Sequence, residues 1–134
     1  MMRRSNVRGF RLLGSTATLL LCACHAATGV GGAEALALGA GQERQLSGSA
    51  VYVSMGNVTE DSRCPADVTC IWQGNAAVTI GMRTGSDPAT TYTLNTTTSS
   101  TRISALGYEV RLDSLLRSAS GAYIAYVTVV PLKP

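Results

Sequence analysis

Residues 76–83 read Ala76-Ala77-Val78-Thr79-Ile80-Gly81-Met82-Arg83. Ala76, Val78, Ile80 and Met82 are apolar and alternate with Ala77, Thr79, Gly81 and Arg83. An apolar period of two marks an extended chain with one buried face, because successive side chains of a strand point to opposite sides. The same period recurs outward in both directions. Val51, Val53 and Met55 alternate with Tyr52 and Ser54, Tyr92 and Leu94 with Thr91, Thr93 and Asn95, and Tyr108, Val110 and Leu112 with Glu109, Arg111 and Asp113. Residues 123–130 (YIAYVTVV) are apolar on both faces, as in a central strand. Each run is short, rich in Val, Thr, Tyr or Ile, and bounded by Gly, Asn, Asp, Ser or Pro. With a weaker strand over residues 43–46, the pattern predicts an all-β domain, a small antiparallel sandwich or barrel of about six or seven strands. Thr84 to Pro88 predicts a hairpin turn, residues 96–101 a polar connection, and residues 115–121 one helical turn before the last strand. Pro131 and Pro134 close that strand.

Between two of these strands lies Asp61-Ser62-Arg63-Cys64-Pro65-Ala66-Asp67-Val68-Thr69-Cys70-Ile71-Trp72-Gln73-Gly74, which holds the only tryptophan. Its two cysteines admit four readings: metal ligands, a redox pair, a binding loop or a staple. The Cys-x5-Cys spacing is neither the half-site of a zinc ribbon nor a Cys-x-x-Cys redox motif, and residues 42–134 contain no histidine and no further cysteine. Calcium through Glu60, Asp61 and Asp67 lacks the spaced Asp/Asn-Gly loop. No metal or cofactor is therefore expected. A local Cys64–Cys70 disulfide closes a ring worth ~2.4 kcal/mol by chain entropy. Asp67 suits a turn, Asp61 is placed to pair with Arg63, and Trp72 is expected to lie against the disulfide or the core. If that ring is buried, Trp72→Ala should cost more than loss of the disulfide.

The beginning of the chain carries a different message. Met1 to Arg11 holds Arg3, Arg4, Arg8 and Arg11 with no acid, and residues 12–22 are apolar. A basic segment, a short apolar core and small residues read as an export signal, too short to span a membrane. Leu21-Cys22-Ala23-Cys24 resembles a bacterial lipobox, which implies cleavage after residue 23 and lipid on Cys24; the alternative is an ordinary signal peptide cut after Ala26 or after Ala37. Several acyl chains on one residue would anchor it stably where one would not. His25 rather than Asp after Cys24 favours the periplasmic side of the outer membrane, and exported chains form disulfides. The expected organisation is thus a signal at 1–23, a Gly/Ala-rich tether at 24–41, with a marginal helical turn at 34–38, and a β domain at 42–134.

Charge and side-chain chemistry narrow the function. The full chain is +3, but residues 24–134 hold seven basic residues against eight acids, net −1. No basic footprint for nucleic acid remains. Without a histidine in residues 42–134, Ser-His-Asp and Cys-His catalysis lack their base. Carboxylate pairing among Glu60, Asp61 and Asp67 has little room for a substrate cleft. No enzyme activity and no catalytic residue is expected.

Asp61-Ser62-Arg63-Cys64-Pro65, then Cys70-x-Trp72-x-Gly74-x-Ala76-x-Val78, resembles a motif of small exported bacterial proteins of unknown function. In those a "GYxVxL" strand follows, matched by Gly107-Tyr108-Glu109-Val110-Arg111-Leu112. The resemblance spans residues 42–134 and implies a β-rich exported domain, not an activity. This chain departs from the pattern at Asn75, where an acid is common, and at Leu115 and Leu116, where a proline would follow the strand.

Together these features describe a lipid-anchored, non-enzymatic envelope binding or structural module. Its partners are the membrane, through Cys24, and an unspecified protein or small ligand. The alternative is an inhibitor or ligand binder using the Cys64–Cys70 loop, with Asp61, Arg63, Asp67 and Trp72 as candidate site residues. Burial decides between them: a staple buries Val68, Ile71 and Trp72, and a contact loop exposes them.

Overall fold

The computed structural model describes residues 32–98 and 100–133. The signal, Cys24 and His25 lie outside the described residues. Eight strands follow in order: β1 Glu34–Gly39, β2 Glu43–Gln45, β3 Val51–Asp61, β4 Ala76–Thr84, β5 Thr90–Asn95, β6 Arg102–Ala105, β7 Tyr108–Arg117 and β8 Tyr123–Pro131. They form two four-stranded antiparallel sheets, ordered β1-β8-β7-β6 and β2-β3-β4-β5. The apolar alternation places Val53, Met55, Val78, Ile80, Met82 and Leu94 of one sheet in a single buried cluster with Leu38, Val110, Leu112, Leu115, Val127 and Val129 of the other. The domain is an all-β sandwich. As the two-faced apolar pattern requires, β8 lies inside its sheet, between β1 and β7.

Three expectations need correction. Residues 34–39 are not tether and hold no helical turn: they form β1, which pairs with β8 from Glu34↔Val129 to Gly39↔Ile124. Leu38 is fully buried, and pairing with an apolar neighbour outweighs the helical leaning of an Ala/Leu run. The strand count rises to eight through β1 and the short β6.

The helical turn at 115–121 is also absent. β7 runs on to Arg117, and a tight hairpin follows in which the Ser118 N–H donates to the Ala122 carbonyl at 2.8 Å. Gly121, at φ 86°, supplies its left-handed residue. The register of β7 shifts between Leu112 and Ser114, so Asp113 is an inserted residue and both Leu112 and Leu115 face inward. A spacing of three across a bulge imitates helical periodicity.

β3 carries the corresponding irregularity. Its register against β4 shifts after Met55 and again after Val58. The Thr79 hydroxyl serves the inserted residues, accepting from the Asn57 N–H at 2.8 Å and donating to the Asn57 carbonyl at 3.1 Å. Bulges bend a strand and increase its local twist. The end of β3 leads into the cysteine loop.

The sandwich has two unlike ends. At one end lie the start of β1, the β6–β7 turn and the end of β8, where the Glu34 carboxylate accepts from the Ser47 N–H at 2.9 Å. At the other lie the β3–β4 loop, the β7–β8 hairpin and both chain crossings between sheets, from β1 to β2 and from β5 to β6.

A disulfide-braced loop with an exposed apolar tip

Residues 62–75 leave β3 at Asp61 and re-enter the sheet at Ala76, two residues that face each other in the ladder. The base of the loop is closed by backbone and hydroxyl contacts. The Ser62 N–H donates to the Asn75 carbonyl at 2.7 Å, and the Asn75 N–H returns a bond to the Ser62 hydroxyl at 3.1 Å. Gly74 sits at φ 67°, and a Cβ there would lie 2.1 Å from the Ser62 carbonyl oxygen. Only glycine meets both demands.

Asn75 then ties the loop to the end of β5. Its Nδ2 donates to Asn95 Oδ1 at 2.8 Å, and its Oδ1 accepts from the Thr96 N–H at 3.2 Å and the Thr97 N–H at 3.3 Å. A carboxylate could accept the latter two but could not supply the first. The Thr97 hydroxyl adds a bond to the Gly74 carbonyl at 2.9 Å.

Asp61 and Arg63 fasten the other side. The guanidinium grips the carboxylate in a fork, Nε to Oδ1 and Nη2 to Oδ2, each at 2.7 Å. Its Nη1 donates to the Leu115 carbonyl on β7. The Tyr123 hydroxyl on β8 donates to Asp61 Oδ2 at 3.0 Å. A side-chain pair at the end of one sheet is thus bonded to two strands of the other. The Arg63 fork, aided by the Tyr123 hydroxyl and the Arg63 N–H against the cost of burial, holds the Asp61 carboxyl down to about 2. The same contacts raise Arg63 and Tyr123. Such a carboxyl carries no proton to donate at neutral pH. Asp61 and Arg63 act as a clamp between the sheets while their side chains stay partly exposed.

The Cys64–Cys70 disulfide forms as expected, with Cα atoms 5.8 Å apart. Inside the ring the Val68 N–H donates to the Pro65 carbonyl at 3.3 Å, a turn that leaves Asp67 on its exposed side. Trp72 does not pack on the disulfide or the core. It is 64% exposed, Ile71 95% and Val68 53%. Every anchor of the loop is polar or covalent, so no apolar side chain has to turn inward to hold it. The staple reading fails on its own criterion for these three residues, although the disulfide itself braces the loop.

The structure therefore divides the four candidate site residues. Asp61 and Arg63 belong to the base, while Asp67 and Trp72 belong to the tip. Tyr123, Thr96 and Thr97 carried no site reading in the sequence, Ser62 appeared there only within the cysteine motif, and Asn75 only as a departure from it; a glycine held between two strands, Gly74, is the signal that could have marked the close approach at the base. Among the described residues, no three of His, Cys, Asp and Glu converge on a point that could hold a metal ion. Comparison with protein-family models, curated proteins and solved structures finds no match.

Proposed function

We propose that the chain is an exported, non-enzymatic binding module, anchored by lipid on Cys24, whose contact element is the tip of the loop at residues 62–75. The exposure of Val68, Ile71 and Trp72 on a braced loop supports this reading. Three large apolar side chains on one short surface segment are costly to leave in water at ~25 cal/mol per Å2, unless a partner covers them. The disulfide, Gly74 and the Asn75 bonds fix the loop before contact, which lowers the ordering cost of binding. Tryptophan is also the residue type most enriched among energetically dominant contacts. The module is of the binding class rather than purely structural, because the fold is already complete without these side chains.

In-cell oxidative footprinting tests this. Trp72 should react with hydroxyl radicals several-fold more slowly in intact envelopes than in the purified domain, while Tyr126 on an outer sheet face reacts equally in both. Cys24→Ser should release the protein from membranes. Equal reactivity of Trp72 in the two settings would sink the contact reading.

A further inference from the structure

From the placement of this loop we infer the class of its partner: a separate protein presenting an apolar slot with a hydrogen-bond-donating or basic rim. The inference rests on the tip being a contact element. Three observations favour a protein over a lipid surface or a second copy of this chain.

The first is polarity. The loop leaves the sandwich at the end marked by Tyr123 and Leu115, whereas β1 begins at the other end, opposite Val129. Along β8 these levels are six residues apart, about 20 Å at a strand's rise. The proposed attachment through Cys24 would thus enter the domain at the end away from the loop.

The second is charge. Within residues 62–75 the single base, Arg63, is spent on Asp61 and the Leu115 carbonyl, while the acid Asp67 stands exposed at the tip. Arg117, at the same end, lies over the Tyr123 ring at 5.6 Å. An anionic bilayer is recruited by free Lys and Arg beside the apolar residues, and this tip offers an acid instead.

The third is shape. The tip is convex, so its complement is concave. Among the described residues, an open depression of about 520 Å3 is lined by Gln45 to Ala50, mainly small and polar residues, and is no apolar slot for an indole. The exposed apolar side chains elsewhere on the described chain, Leu106, Leu116, Tyr126, Val130 and Leu132, are none of them among the residues lining that depression. A partner with an apolar slot would receive Trp72 and Ile71, with donors at its rim facing Asp67.

The test places a photoreactive benzoylphenylalanine at Ile71, or at Leu106 at the opposite end, in the full chain in cells. In parallel, purified protein with 5-fluorotryptophan as its single tryptophan is titrated with phosphatidylethanolamine–phosphatidylglycerol vesicles. The proposal expects a discrete adduct with a different polypeptide from position 71 and none from position 106. That polypeptide, once purified, should shift Trp72 fluorescence to the blue. Trp72→Ala should weaken its binding by roughly tenfold or more at unchanged melting temperature. Vesicles should leave the fluorine resonance in place.

A resonance shifted by vesicles makes the contact a lipid surface, and an adduct consisting of two copies of this chain makes it a self-contact. Either result overturns the protein partner and leaves the contact role intact. Absence of an adduct at 71, with Trp72 unprotected in envelopes and unmoved by vesicles, removes both.

Discussion

Asp61 shows how much of this loop depends on single side chains. Folding lowers its carboxyl from an ordinary value near 4 to about 2, so its stabilisation is complete above the higher value and is lost as pH falls through the lower. The Arg63 and Asp61 side chains remain 27% and 20% exposed, and solvent screening brings the contribution to ~1 kcal/mol. Denaturant unfolding between pH 5 and 2 should therefore show stability falling with acid, and Asp61→Asn should lower the neutral-pH value by ~1 kcal/mol and flatten that slope. Glu43, lowered by its bond from Arg83, titrates in the same direction, so some slope survives the substitution. An acid limb as steep in Asp61→Asn as in the wild type would mean that the clamp contributes nothing. Gly74 offers a second test. Gly74→Ala adds a left-handed penalty and a clash with the Ser62 carbonyl, and should cost ~2–3 kcal/mol. Gly85→Ala, also at positive φ but with open space around it, should cost ~1 kcal/mol. Equal melting of the two variants would remove the close-approach argument.

At the scale of elements, the loop separates bracing from display. Loss of the disulfide in Cys64→Ser/Cys70→Ser should lower stability by ~2 kcal/mol, the chain-entropy figure for so short a ring. Trp72→Ala should change it by less than ~0.5 kcal/mol, as for an ordinary surface position. Thermal melts of the two variants give the order directly, and a larger loss from Trp72→Ala would return the indole to the core. This order is the reverse of the sequence expectation, and the reason is physical. A tryptophan beside a disulfide looks buried because the sequence states its size and not its direction; the polar base that lets it face outward is made of residues 13 to 62 positions apart. The Asp61–Arg63 pair was legible because its partners are two residues apart, and Cys64–Cys70 because no other cysteine lies in residues 42–134. Strands with unbroken alternation, such as β4, were legible too. Where a bulge inserts a residue, as at Asp113, the alternation breaks and the continuation of the strand to Arg117 is no longer visible in the sequence. β1 was hidden for another reason: Glu-Ala-Leu-Ala-Leu has the composition of a linker, and only its pairing with β8 makes it a strand.

For the whole molecule, the two ends of the sandwich are held in different ways. Both chain crossings and the Asp61–Arg63–Tyr123 clamp gather at the loop end, and the other end carries hairpin turns, the Glu34–Ser47 bond and the exits of β1 and β8. This arrangement has a mechanical meaning. A pull between residue 33 and the tip of the loop runs along β1, and slides that strand lengthwise against β8. Its six-residue ladder then carries the load all at once. A pull between residue 33 and the end of β8 instead separates two neighbouring strands from the same end, so their bonds give way one after another. Optical-tweezers unfolding with handles at positions 33 and 71 should require a distinctly higher force than with handles at 33 and 133, since forced unfolding reports the barrier along the chosen direction. Equal forces would show that β1 is not the strand that bears the strain. If the order holds, the domain resists a pull between the start of β1 and the tip of the loop better than one between the start of β1 and the end of β8.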